Sequence, residues 1–369
     1  MPQTNRLISL DAFRGMTIAL MILVNNPGSW SHVYAPLRHA KWHGLTPTDL
    51  VFPFFLFIMG VAMAWSFARY ADTEHPRRAL YLRIIRRTAI LILLGWAGDI
   101  FPRFDFSSMR IPGVLVRIGV CYFFASLIIL SSSPKRIYLW TAGLLLFYWL
   151  LMVAVPFPGR GADPWAFGSN FAQYIDNLLL AGHMWKPDFD PEGIISTIPA
   201  ISSVLVGYLT GLWLRNDKTD WHKIGILFIA GNILAFAGLV WKPLMPINKQ
   251  LWTGSYVLFT SGLALHALAM SYWFVDMLGQ RTWVKPFVVF GSNSLFVYVA
   301  SGLMVNLLFL IKLNKPEGGD ISLPGYLYRY LLAPTFGDTL GSLVYPMILL
   351  LFWLAVLWWM YNRKIFIKI

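Results

Sequence analysis

Residues 38–60 read RHAKWHGLTPTDLVFPFFLFIMG. From Leu50 onward the stretch is apolar and carries no charge as far as Arg69. About 20 mostly apolar residues are enough to cross a bilayer as a helix, so this half reads as a membrane span. The first half sets His39, His43, Lys41, Trp42 and Asp49 on the approach to it. Gly44 and Pro47 argue against a continuous helix through that approach. Titratable chemistry therefore stands at one mouth of a membrane segment, and the rest of the chain has to say which mouth.

Outward from this stretch the same texture continues. The chain has 369 residues, 57% of them hydrophobic and 13% charged, about half of the ~25% charge common in soluble domains. Only helices and closed barrels satisfy their backbone in lipid, and the apolar runs here are helix-length. The expected fold is all-α and polytopic, a single domain over residues 1–369 with about ten spans. They fall near 14–34, 49–70, 84–101, 112–132, 136–156, 194–214, 222–241, 252–275, 286–311 and 343–361. The first apolar segment is long and no small-residue cleavage site follows it, so a cleavable signal peptide is not expected.

The formal net charge is +13, and its distribution carries the meaning. Arg83, Arg86, Arg87, Arg136, Lys218, Lys223 and Lys285 fall in one alternate set of loops. The other set holds most of the acids, among them Asp163, Asp176, Asp190, Glu192 and Glu317. Cytoplasmic loops are the basic ones, so both termini are expected in the cytoplasm and residues 36–46 outside. Loops 157–193 and 312–342 are then the long outer ones. No long basic polar segment exists to present to nucleic acid, so nucleic-acid partners are not expected. The single Cys121 excludes an internal disulfide and a multi-cysteine metal site.

Several polar residues lie inside or against the spans. Arg14 and Asn25 are 11 residues apart, nearly three helical turns, on one face and about 16 Å apart along the axis. That is a ruler for a long ligand with an anionic head and a reactive tip, although Arg14 can equally pair with Asp11 and Asn25 can join helices. Arg83, Arg86 and Arg87 form one cationic stripe at the start of span 3, suited to phosphate or to lipid headgroups. Arg117 lies within span 4, where a cation has to be paired or face a watery cavity. His39 and His43 have a spacing that can hold zinc on a helix. Without a helix or an HExxH pattern, proton handling fits imidazole better. Asp49 can cap the helix that follows. Asn248 and Lys249 stand at the outer mouth of span 8, and Asn293 within span 9.

The stretches LDAFRGMTIALMILVN, RHAKWHGLTPTDLVFPFFLFIMG, MRIPGVLVRIGVCYF, FDPEGIISTIPA, PINKQLWTGSYVL and GSNSLFVYV occur in that order from residue 10 to about 300. Together they resemble the heparan-α-glucosaminide N-acetyltransferase family and its bacterial NagX-like relatives. The resemblance implies transfer of an acetyl group from cytosolic acetyl-CoA, across the membrane, to the amine of glucosamine or a glucosamine-containing glycan. It implies His39 as the catalytic histidine and Asn25 as its partner, although Asn26 follows directly and the choice between the two stays open. It also weights Arg14, Arg83, Arg86 and Arg117 toward acetyl-CoA, and Asp49, Asn248, Lys249 and Asn293 toward the acceptor, with no metal. The implied setting is a bacterial inner membrane, and aromatic-rich helix faces are compatible with a homodimer. The other class that fits ten helices with buried charge is a secondary transporter of an amino sugar.

Overall fold

The computed structural model describes residues 7–71, 77–102 and 104–367. Residues 72–76, in the loop expected inside between spans 2 and 3, and Lys368, expected at the inner C-terminus, lie outside the described residues. The elements in order are α1 (Ile8–Asn25), α2 (Val51–Ala71), α3 (Arg77–Ile100), α4 (Val114–Ser131), α5 (Pro134–Ala154), α6 (Phe171–Leu180), α7 (Thr197–Leu214), α8 (Asp220–Trp241) and α9 (Gly254–Tyr272). They continue with α10 (Arg281–Ser292), α11 (Ser294–Leu310), a two-stranded hairpin of β1 (Lys312–Asn314) and β2 (Asp320–Ser322), α12 (Leu323–Tyr326), α13 (Ala333–Phe336) and α14 (Asp338–Asn362).

Among the described residues eight helices are long and apolar enough to cross a membrane, and the pair α10–α11 would make nine if its two halves form one span. The tenth expected segment, α3, has the length, at 24 residues, but carries Arg77, Arg78, Arg83, Arg86 and Arg87 at its start. The protein is thus an all-α polytopic membrane protein. Beyond shifts of a few residues elsewhere and an earlier start of α3 at Arg77, two differences from the sequence expectation bear on the site. The first helix covers Ile8–Asn25 rather than 14–34, because Pro27 disfavours helical geometry at the residue before it and Asn26 leaves the helix at φ −130° and ψ 50°. The expected span 286–311 is broken at Asn293, where its halves meet at 71°.

Glycines decide how closely the helices cross. A Cβ on Gly60 of α2 would lie 2.0 Å from the carbonyl oxygen of Val204, and one on Gly207 of α7 2.1 Å from that of Phe57. The α2–α7 pair therefore meets backbone to backbone, as small residues permit between membrane helices. Gly15 and Gly291 do the same for α1 against α10, at 1.7 Å from Phe287 O and 2.0 Å from Asp11 O. Around these crossings Leu56, Val204, Tyr256 and Val257 form one core, and Phe57, Val61, Leu265 and Leu268 another. By contrast α5 and α8 turn Leu139, Trp140, Phe147, Ile233 and Phe236 outward, which is the composition a lipid-facing surface needs.

The connections expected outside gather at the end of the bundle where α1 finishes. Trp42 Nε1 donates to Trp165 O at 2.8 Å, Trp42 packs on Phe189, and Tyr328 OH meets His32 Nδ1 at 3.1 Å. Loops 157–193 and 312–342 both touch residues 26–50 in this way.

Candidate functional site

Asp49 is the fixed point of the approach segment. Thr46 and Asp49 form a reciprocal cap at the turn Pro47–Leu50 that leads into α2. The carboxylate is 1% exposed. Its Oδ2 accepts from Thr46 N at 3.0 Å, Thr46 Oγ1 at 3.0 Å and Ala40 N at 3.1 Å. Its Oδ1 lies 2.7 Å from His39 Nδ1, and its backbone carbonyl accepts from Tyr256 OH on α9 at 2.6 Å. A carboxylate accepts only, so His39 carries its proton on Nδ1. In the neutral ring this leaves Nε2 as an acceptor, with no hydrogen-bond partner among the described residues, on a side chain 37% exposed. Orientation of an imidazole by a buried carboxylate is how a ring nitrogen is aimed at a reacting proton.

Around this dyad the loop 242–253 closes in. Lys249 Nζ lies 3.1 Å from His39 Nδ1 and 3.5 Å from Asp49 Oδ1. Burial pulls the Lys249 ammonium below its ordinary range, against the charges of Asp49 and Glu192. Asn248 is buried: its Oδ1 accepts from Leu251 N at 2.9 Å and its Nδ2 lies 3.3 Å from His43 Nδ1. Asn248 is therefore spent on shaping the loop and on holding His43, whose own imidazole is lowered by burial against the opposing charge of Asp163. Beside them Arg110 pairs with Asp190 and Glu192. Burial alone would lower that guanidinium, and the two carboxylates reverse the effect and raise it.

At the opposite end of α1 a cavity of about 890 Å³ opens, lined by Asp11, Arg14, Arg83, Arg87 and Arg215. Its walls continue through Ile18, Phe55, Ile58, Leu115, Ile118 and Tyr298. On α1 the lining runs from Leu7, at its N-cap, and Arg14 to Ile18, and it includes Phe55 of α2 and Leu115 of α4, so the cavity extends along α1 from its arginine end. Arg87 also stacks over Tyr122 at 4.7 Å, and Arg215 donates to Ala64 O at 3.0 Å.

The sequence-predicted residues divide accordingly. Arg14 and Arg83 line the cavity together with Arg87, and Arg86 is not part of its lining; Arg86 and Arg87 lie on either side of Arg83 about the helix axis, and the cavity is on the side of Arg87. Arg117 does not line this cavity. It is 1% exposed and donates to Gly193 O at 3.0 Å and to Ser196 Oγ, with its guanidinium over Trp252. Leu115 and Ile118, three residues apart, present the cavity face of α4, and Arg117 points away from it. Asn293 is not brought to the dyad either. It bonds Ile365 O and Ile367 N, beside the Asp11–Gly291 crossing at the cavity end of α1. Asn25 is exposed with its side chain unbonded among the described residues, whereas Asn26 Nδ2 donates back to Ile22 O at 2.8 Å. Sequence reasoning missed Arg215 as a wall residue and the Arg110–Asp190–Glu192 group. Neither has a local spacing signal, since their partners lie far apart along the chain.

Comparison with known proteins bears on this geometry. Heparan-alpha-glucosaminide N-acetyltransferase of Mus musculus is 31% identical over 363 residues, covering 82% of this chain and 54% of that protein. The chain is a homologue of these N-acetyltransferases. The Homo sapiens heparan-alpha-glucosaminide N-acetyltransferase is 32% identical over 360 residues, covering 82% of this chain and 53% of its own length. The chain therefore spans about half the length of the curated relatives it matches. Residues 6–104 also match a family model described as a domain of unknown function, DUF5009. That stretch contains α1, the His39–Asp49 segment, α2 and the cavity arginines of α3.

Proposed function

We propose that the protein is a transmembrane N-acetyltransferase that takes the acetyl group of cytosolic acetyl-CoA to the amine of an amino sugar at the outer face of a bacterial inner membrane. The observation that carries this reading is one helix, α1, with an arginine-lined cavity at one end and the His39–Asp49 dyad at the other. Arg14, Arg83, Arg87 and Arg215 bind the anionic head, since guanidinium forks suit phosphate oxygens. The acyl tip reaches up the cavity toward Asn25. Asn25 donates to the thioester carbonyl as charge develops there. His39 Nε2 takes the proton of the attacking amine, the new C–N bond forms, and the C–S bond breaks with the electron pair leaving on sulfur. Glucosamine or a glucosamine-containing glycan is the acceptor class, by analogy with the printed names of the relatives.

The test separates head from tip. Arg14→Ala should weaken CoA binding by about 10- to 150-fold, the worth of one charge-assisted contact of roughly 1.5–3 kcal/mol. Asn25→Ala should cut turnover about 10²–10³-fold with CoA affinity nearly unchanged. Calorimetric CoA binding and steady-state acetyl transfer to a panel of amino sugars, on the same detergent preparations, read both. Loss of CoA affinity in Asn25→Ala with intact turnover at saturation would reverse the assignment. The 71° break between α10 and α11 at the cavity favours a second reading, because transporters use broken helices at their binding sites. Uptake of an amino sugar into proteoliposomes without acetyl-CoA would support it.

A further inference from the structure

Two groups converge on one atom of His39, and only one of them can be its hydrogen-bond partner. Asp49 Oδ1 is 2.7 Å from Nδ1 and Lys249 Nζ is 3.1 Å from the same nitrogen. With Nδ1–H given to the carboxylate, the ring offers Lys249 no lone pair there. A Lys249 proton donated to Nδ1 would instead turn that lone pair's place away from Asp49 and leave a carboxylate facing a nitrogen without a hydrogen. The first arrangement is the satisfied one. The lysine contact is therefore one of charge against the ring edge, with its N–H directed at Asp49 Oδ1, 3.5 Å away.

We infer that Lys249 is a positioning residue that offsets the charge of Asp49 at His39, so that Asp49 can hold the ring's orientation without holding it as imidazolium. The inference rests on the proposed acetyl transfer for its purpose and on the geometry alone for its physics. A buried carboxylate beside imidazole favours the protonated ring, and a protonated ring has no lone pair with which to accept the proton of an amine. An ammonium at nearly the same distance opposes that preference. Burial keeps Lys249 in reach of the pair, its side chain being 16% exposed, and lowers its own proton affinity against the pull of Asp49 and Glu192.

Other charged groups near the ring are otherwise occupied. Arg38 Nε donates to Val33 O at 2.7 Å, His43 is held by Asn248, and Glu192 is paired with Arg110. Tyr256 from α9 reaches the Asp49 carbonyl as a neutral donor. Among the described residues Lys249 is thus the cation whose nitrogen lies within 4 Å of the dyad. This gives it a role different from a contact to the acceptor sugar.

The direct test is the titration of the His39 ring, followed by NMR in detergent on protein carrying labelled histidine, with His39→Gln used to assign the signal. Two charges about 3–4 Å apart near a protein surface interact strongly enough that Lys249→Met should raise the His39 midpoint by about one pH unit or more. Lys249→Arg should leave it within a few tenths of wild type. If Lys249→Met does not give folded protein, Lys249→Gln, neutral but still a donor, takes its place. The acid limb of kcat/KM against pH should move the same way, with turnover recovered at high pH. An unmoved or lowered midpoint in the neutral variant overturns the inference, as does a rise in acceptor KM with no change of pH profile. A shifted midpoint in a protein that transfers acetyl to no amine at any pH would instead leave the charge role standing and remove the proposed function.

Discussion

Two residues in the approach segment are chemically alike and structurally unlike. His39 has a buried carboxylate behind it and a free Nε2, while His43 sits against the side chain of Asn248. If His39 is the base, His39→Ala should abolish acetyl transfer and His43→Ala should keep a measurable fraction of it. Equal losses restored by added zinc would point to a metal pair instead. Asp176 gives a prediction of a different kind. Its carboxyl is 2% exposed, and burial pushes it up to about 6, against a hydrogen bond from Ile194 N and the charge of Arg117. An acid with a folded pKa above its unfolded value binds more protons when folded, so stability falls as pH rises between about 4 and 6. By linkage the penalty at pH 7 is on the order of 3 kcal/mol. Asp176→Asn should therefore gain thermal midpoint over wild type at pH 7, with the gain shrinking toward pH 4. A difference independent of pH would mean that the carboxyl does not titrate in that window.

At the scale of elements, the dyad depends on where α2 lies, and α2 is seated on α7 through Gly60 and Gly207. A methyl at Gly60 meets backbone, not a side chain that can turn aside, so Gly60→Ala should destabilise by about 1–3 kcal/mol or more and lower activity through displacement of α2. Gly143, in the middle of α5, has nothing within 4 Å of its would-be Cβ. Gly143→Ala should be neutral or gain up to about 1 kcal/mol from helix propensity. Thermal midpoints of the two variants in the same detergent decide it, and equal loss in both would refute the close-crossing argument. The apolar runs of these elements were plain in the sequence. The end of α1 at Asn25 was not, because the apolar and small residues beyond Pro27 hide a break set by backbone sterics.

At the scale of the whole molecule, the proposed reaction needs the dyad and the arginine cavity on opposite faces of the membrane. The Lys and Arg asymmetry predicts the orientation, and labelling tests it. In a Cys121→Ser background, Tyr34→Cys should react with an impermeant thiol reagent on intact cells, and Asp217→Cys, between α7 and α8, should react only after the membrane is opened. The reverse pattern would overturn the cross-membrane route while leaving the site geometry intact. Tyr34 is exposed beside the approach segment, and Cys121 is fully buried, so the background substitution leaves the outer surface unchanged.

The sequence by itself determined the class of protein, because bilayer thickness turns apolar length directly into spans, and it marked Arg14, Asn25, Asp49 and the pair His39 and His43 because each breaks an apolar or turn pattern locally, while the choice of His39 over His43 came from the family resemblance. It also grouped Arg83, Arg86 and Arg87, but could not say which of them faces inward. That depends on the rotation of α3 about its axis, which is fixed by the packing of neighbours and not by spacing. Only the tertiary structure decided that Asp49 stands behind His39, that Lys249 reaches them from 210 residues away, and that Arg117 bonds Gly193 O and Asn293 bonds Ile365 O. Contacts between distant segments are set by how glycine-mediated crossings and loop closure bring helices together. A chain read in one dimension carries no record of those distances.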